Sequence, residues 1–131
     1  RLLDNMGADA EDIATIISAI GNHDEGTAVA VDAVAAALIL ADKTDVRRTR
    51  VRNRDKATFD IHDRVNYAVE KASTTLDAAG KAVVLDLQLD TGMSPVIDYF
   101  EIFLERMLLC RKAAEKLGLS FRLVVNGQTV L

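Results

Sequence analysis

Two groups of residues could do chemistry. The first is His23-Asp24-Glu25, with Asp42 further along the chain. An imidazole and carboxylates are the donors taken by Zn, Mn, Fe or Mg, the choice depending on the rest of the shell. The second is a basic run in which Lys43, Arg47, Arg48, Arg50, Arg52, Arg54 and Lys56 fall within fourteen residues, relieved in part by Asp45 and Asp55. A guanidinium holds a phosphate through two parallel hydrogen bonds. A row of them beside a metal-binding carboxylate suits a phosphorylated substrate. Lys43, Arg47, Arg50 and Arg54 share one face if a helix continues through them, with Arg48 and Arg52 as a neighbouring stripe. No aromatic residue interleaves with the run for base stacking, which disfavours a nucleic-acid interface.

Each group has a plain alternative. His23 follows the end of one predicted helix and Asp42 stands near the end of the next. In antiparallel neighbours these are opposite ends, so the two meet only if a turn or a crossing helix brings them together. Otherwise Asn22–Glu25 is a solvated turn and Asp42 a surface residue. A carboxylate at a helix C-terminus is disfavoured by the dipole, so helix stability does not explain Asp42. The basic run could equally be a solvated face balanced by the acidic remainder of the chain.

The elements that must position these residues are legible from periodicity. Residues 9–22 read as a helix, capped by Asp9 and carrying Ile13, Ile16, Ile17 and Ile20 at helical spacing. Residues 28–42 read as a second helix, apolar nearly all round and expected to be buried between neighbours. Residues 57–64 are a polar connection. Val65, Tyr67 and Val69 then alternate with polar residues, as do Val83, Leu85, Leu87 and Leu89, which predicts two strands joined by a turn near Asp77–Lys81. Residues 94–117 are the clearest helix, with Ser94 as cap, Pro95 in first position and Gly118 as stop. Its apolar stripe includes Val96, Ile97, Phe100, Phe103, Leu104, Met107, Leu108, Ala114 and Leu117. Phe121, Leu123 and Val125 predict a third strand, and Asn126-Gly127 a tight turn. The expected class is α+β: a helical first half, then a β-β-α-β unit whose three strands lie under one long helix. The apolar face of residues 94–117 could cover that sheet or a second chain, which leaves a homo-oligomer open.

Composition narrows the classes. The chain has 131 residues, half of them hydrophobic and 27% charged, as in a globular protein. No apolar run approaches the roughly 20 residues of a membrane span, so no membrane role is expected. The single cysteine, Cys110, excludes an internal disulfide and suits a reducing, cytoplasmic setting. It has no paired His nearby in sequence and reads as a buried thiol. The net charge of −4 argues against a surface built to cover nucleic acid. Arg1-Leu2-Leu3, with Met6-Gly7 behind, reads as the last turn of a helix and its stop, which suggests that an upstream part belongs to the protein.

The stretch Ile20-Gly21-Asn22-His23-Asp24-Glu25, the alanine-rich helix after it, and Leu40-Ala41-Asp42-Lys43-Thr44-Asp45 resemble the later half of the HD-domain phosphohydrolases. That superfamily is named for a metal-binding His-Asp pair and ends its ligand set with an Asp on a helix. The resemblance covers roughly residues 1–56. It implies that residues 1–56 are the C-terminal helices of such a domain and that residues 57–131 are an appended module. It assigns His23, Asp24 and Asp42 to a divalent metal (Mn, Mg, Fe, Ni or Zn), with His23 on a second metal or on substrate. Lys43, Arg47 and Arg48 would hold phosphate oxygens of a phosphorylated small molecule or nucleotide. The first His and the His-Asp pair would lie upstream of Arg1, in a missing N-terminal segment that completes the site. The chain alone is then expected to be inactive. The alternative from another class is a non-catalytic module that binds an acidic partner or nucleotide through its arginines.

His62-Asp63 is a literal His-Asp dipeptide and could be the pair itself, with His23 as first ligand and Asp86 or Asp90 as last. Against this, residues after Asp63 alternate like a strand, and the plain reading is that both side chains satisfy backbone groups where the chain enters the sheet.

Overall fold

The computed structural model describes residues 1–131. Helix α1 (Leu2–Asn5) is a single turn that stops at Gly7, whose φ of +81° is left-handed. Helix α2 (Ala10–Gly21) begins where Asp9 Oδ1 accepts the Asp12 N–H at 2.9 Å. Helix α3 (Ala33–Lys43) starts later than the apolar run suggests. Asp32 caps it, accepting the Ala35 N–H at 2.7 Å. Residues 28–32 are therefore not helical, and α3 is not buried all round. Ala35, Ala36, Ile39 and Leu40 face the core, while Val29, Val31 and Val34 are exposed.

The largest departure from the predicted elements is helix α4 (Ile61–Ala68), which occupies the polar connection and the first predicted strand. Asp60 accepts the Asp63 N–H at 2.8 Å and starts it. Ile61, Val65 and Ala68 then fall on one inward face, so the alternation of Val65, Tyr67 and Val69 was coincidental. The first strand, β1 (Val69–Asp77), follows directly and pairs antiparallel with β2 (Ala82–Leu89). Helix α5 (Val96–Lys116) crosses over to β3 (Ser120–Val125), which runs parallel to β2 with Val83 opposite Phe121 and Leu85 opposite Leu123. A short fourth strand, β4 (Gln128–Thr129), folds back on β3, giving the order β1-β2-β3-β4.

Helix α5 covers the sheet on one side and packs against α3 on the other. Its buried line is Tyr99, Phe103, Met107, Cys110 and Ala114, one helical face, whereas Ile97 and Leu104 of the expected stripe are exposed. Pro95, not Ser94, holds the cap position, and the Ser94 hydroxyl instead donates to Asp98. At the other end Gly118 is left-handed, with Leu119 N–H on Ala114 O and Gly118 N–H on Glu115 O, which closes the helix. Ile39 and Val46 join Val65, Leu85, Met107 and Leu123 in one core of 19 buried residues. The two stretches 1–56 and 57–131 thus share a core. No helix is long and apolar enough to cross a membrane.

Candidate functional site

His23 is oriented by the end of α2. Asn22 stops the helix, its side-chain amide donating to Ser18 O at 2.8 Å. The His23 ring then folds back so that Nδ1 lies 2.6 Å from Ile20 O. A carbonyl only accepts, so Nδ1 carries the hydrogen and the neutral ring keeps its lone pair on Nε2. This backbone hold on one ring nitrogen is the arrangement that aims the other at a ligand. Asp24 Oδ1 stands 3.5 Å from Nε2 and is otherwise exposed.

Asp42 lies in the last turn of α3, where Lys43 Nζ donates to its Oδ2 at 2.6 Å. The Lys43 side chain is only 5% exposed, so its charge is answered by this carboxylate rather than by water. Burial pushes the Asp42 carboxyl up. The Lys43 hydrogen bond, the Lys43 charge and the charges of His23 and Arg106 outweigh that and hold it below the usual range. The His23 charge reaches Asp42 as one of the smaller of these influences, and no hydrogen bond or ion pair joins the two side chains. The chain doubles back between them: Thr27 N–H bonds Asp24 O, Val29 N–H bonds Asn22 O, and Asp32 restarts the helix. Arg106 of α5 forms an ion pair with Glu25 and ties this loop to the core helix. Cys110, one turn further along α5, is fully buried, and burial pushes its thiol up to about 12, which leaves it inert as a nucleophile.

The arginines are placed elsewhere. Helix α3 ends at Lys43, because the Thr44 hydroxyl bonds Leu40 O at 2.7 Å and the buried Val46 turns the chain inward. Arg47 is extended, so Lys43, Arg47, Arg50 and Arg54 do not share one helical face. Arg47 and Arg50 both bind Asp45, whose carboxyl is held low chiefly by the Arg47 hydrogen bond. Arg48 Nε donates to Tyr67 O at 2.9 Å, and its guanidinium lies 4.5 Å from the Tyr67 ring centre, as does Lys56 Nζ. Arg47 and Arg48 line a polar hollow of about 570 Å³ with Lys71, Ser73 and Asp86, over the start of β1. Of the three candidate cations, Lys43 is the one that the fold joins to Asp42.

The His62-Asp63 dipeptide sits on α4, on a helix after all. Its side chains do not gather with His23, Asp86 or Asp90. His62 is exposed, and Asp63 accepts from Asn53 at 3.3 Å. No three His, Cys, Asp or Glu side chains converge anywhere in the chain as a complete metal shell. By residue type, the His23 imidazole, with Asp24 beside its Nε2, and the Asp42 carboxylate, with Oδ2 bound by Lys43, are nitrogen and oxygen donors of the kind a divalent metal takes. Comparison with known protein families, curated proteins and solved structures gives no match. Arg106 is the site residue that the sequence did not reveal. It lies inside a helix that periodicity presents as core, and only the fold brings it to Glu25.

Proposed function

We propose that this chain carries the later part of a metal-dependent phosphohydrolase centre acting on a phosphorylated substrate such as a nucleotide. What supports the reading is His23, whose Nδ1 is held by the Ile20 carbonyl so that Nε2 is the nitrogen left to accept, together with Asp42, whose carboxyl is held low by Lys43 and, to a lesser degree, by the charges of His23 and Arg106. His23 Nε2 and Asp42 would hold a divalent ion, with the other ligands coming from a further segment of the same protein. When bound, such an ion supplies Lewis-acid polarisation and a water of lowered pKa. Lys43 fixes one oxygen of Asp42 and leaves the other for coordination. Arg106, anchored by Glu25, would add a fixed positive charge for the phosphate oxygens. Asp24 remains a solvated neighbour of His23.

The test is turnover of phosphomonoesters, phosphodiesters and nucleotides by the complete protein loaded with Mn, Mg or Ni. Metal-dependent turnover that falls about a hundredfold or more in His23→Ala and Asp42→Asn supports the reading. Absence of turnover across these substrate classes, or variants as active as wild type, contradicts it.

A second reading keeps the chain non-catalytic and has the arginine-rich segment bind an acidic partner or nucleotide. It is favoured by Arg52 and Arg54, which are exposed and make no ion pair. That reading requires partner affinity to fall steeply with salt and to survive Asp42→Asn.

A further inference from the structure

Strand β1 is an edge. It pairs with β2 alone, over nine residues, while the opposite edge is only the two-residue β4. A long free edge presents unpaired backbone groups and needs to be blunted or covered. A bulge between Val69 and Lys71 disturbs its start, but Lys71–Asp77 runs in unbroken register with β2. No proline or further bulge protects that stretch.

The side chains of β1 fall into two sets. Ala72, Thr74 and Leu76 face the side covered by α5, opposite Leu87, Leu85 and Val83. Leu76 is nevertheless 66% exposed. It stands over an apolar groove of about 780 Å³ formed with Leu40 and Ala41 of α3 and with Leu117 and Leu119. Lys71, Ser73, Thr75 and Asp77 face the other way. Lys71 forms no ion pair, and Asp77 shares Arg122 at 3.5 Å.

This pattern is complementary to itself. Laid antiparallel against a second β1 with Thr74 opposite Thr74, the strand sets Lys71 opposite Asp77, Ala72 opposite Leu76, and Ser73 opposite Thr75. Both charged pairs are of opposite sign, and both apolar pairs fall on the groove side. We propose that two copies of this chain associate through their β1 edges in this register, joining two sheets into one and seating each Leu76 in the apolar groove of its partner. Each Asp77 and the turn after it then enter the hollow lined by Arg47, Arg48 and Lys71 of the other copy. A symmetric, isologous contact of this kind closes on itself and does not propagate.

Sedimentation velocity of the full chain at micromolar concentrations reads the mass directly. A dimer is expected. Leu76→Lys, at an exposed site, should leave the circular dichroism spectrum unchanged and yield a monomer. Lys71→Glu sets like charges opposite each other twice per dimer and should weaken it about tenfold. Lys71→Glu combined with Asp77→Lys should restore it. Thr74→Cys reads the register, since it should cross-link two chains on mild oxidation while Thr129→Cys on the opposite edge does not. A monomer at 200 μM or about that concentration, a dimer indifferent to Leu76→Lys and Lys71→Glu, or cross-linking through Thr129→Cys but not Thr74→Cys would overturn the proposal.

Discussion

Lys43 Nζ lies 2.6 Å from Asp42 Oδ2, and the lysine is the buried partner while the aspartate keeps one oxygen open. That asymmetry sets what each side chain does. Lys43 is an internal counter-charge, and Asp42 is the partly exposed group of the pair.

The two residues should therefore respond differently to truncation. Asp42→Ala leaves a buried ammonium without its carboxylate and should destabilise the fold by about 2 kcal/mol. Lys43→Met keeps the stem packed and leaves the partly exposed Asp42 to solvent, so its cost should be smaller, about 1 kcal/mol or less. Urea unfolding followed by circular dichroism gives both values, and the order Asp42→Ala above Lys43→Met is the point at issue.

Asp45 makes stability depend on pH. Its carboxyl is held low by the Arg47 hydrogen bond, against a raising effect of burial, with help from the charges of Arg47 and Arg50. A folded-state value below the ordinary 3.8 means that the unfolded chain takes up its proton first as pH falls. The contribution is present in full above that ordinary value and is lost as pH drops through the lower folded value. Asp45→Asn should flatten the acid limb of the stability curve below pH ~4 and leave its slope near neutrality unchanged. Thermal melts of both proteins across that range check this.

Asn126 staples the end of the sheet. It adopts φ +50°, and its side chain accepts the Leu89 N–H at 2.8 Å and donates to Leu89 O at 3.2 Å. Asn126→Ala removes both bonds and adds strain, and should cost about 2 kcal/mol. Asn126→Gly relieves the strain but not the lost bonds, and should cost about half as much. Equal losses in the two variants would show that the side-chain bonds alone carry the effect.

Particular residues show what the sequence could tell. α5, β2 and β3 are legible because each buries a face against several neighbours and must carry its period in full, whereas α2 is legible from its Asp9 cap and isoleucine spacing although it buries only Ala19 and leaves Ile17 and Ile20 exposed. β1 is legible only in part. As an edge it has one neighbour and little cover, so Glu70, Lys71, Ser73 and Thr75 satisfy it without an apolar repeat. α4 escaped because eight residues hold just three inward positions, too few to outweigh a chance alternation. At the site, His23, Asp42 and Lys43 are recognisable by type. The arginine face is not where helical spacing puts it, because Thr44 and the burial of Val46 end α3 before Arg47. Arg106 becomes visible only when α5 is packed against the loop that carries Glu25.

The proposed function requires His23 and Asp42 to act as one metal-binding pair. Paramagnetic broadening of the imidazole and carboxylate NMR signals of the chain by Mn²⁺ tests this most directly, because His62 provides a second, exposed imidazole as an internal control. If they do, His23 and Asp42 signals broaden together at low Mn²⁺ while those of His62 stay sharp, and His23→Ala abolishes the broadening at Asp42. Equal broadening of His23 and His62, or Asp42 broadening that is unchanged in His23→Ala, would contradict it.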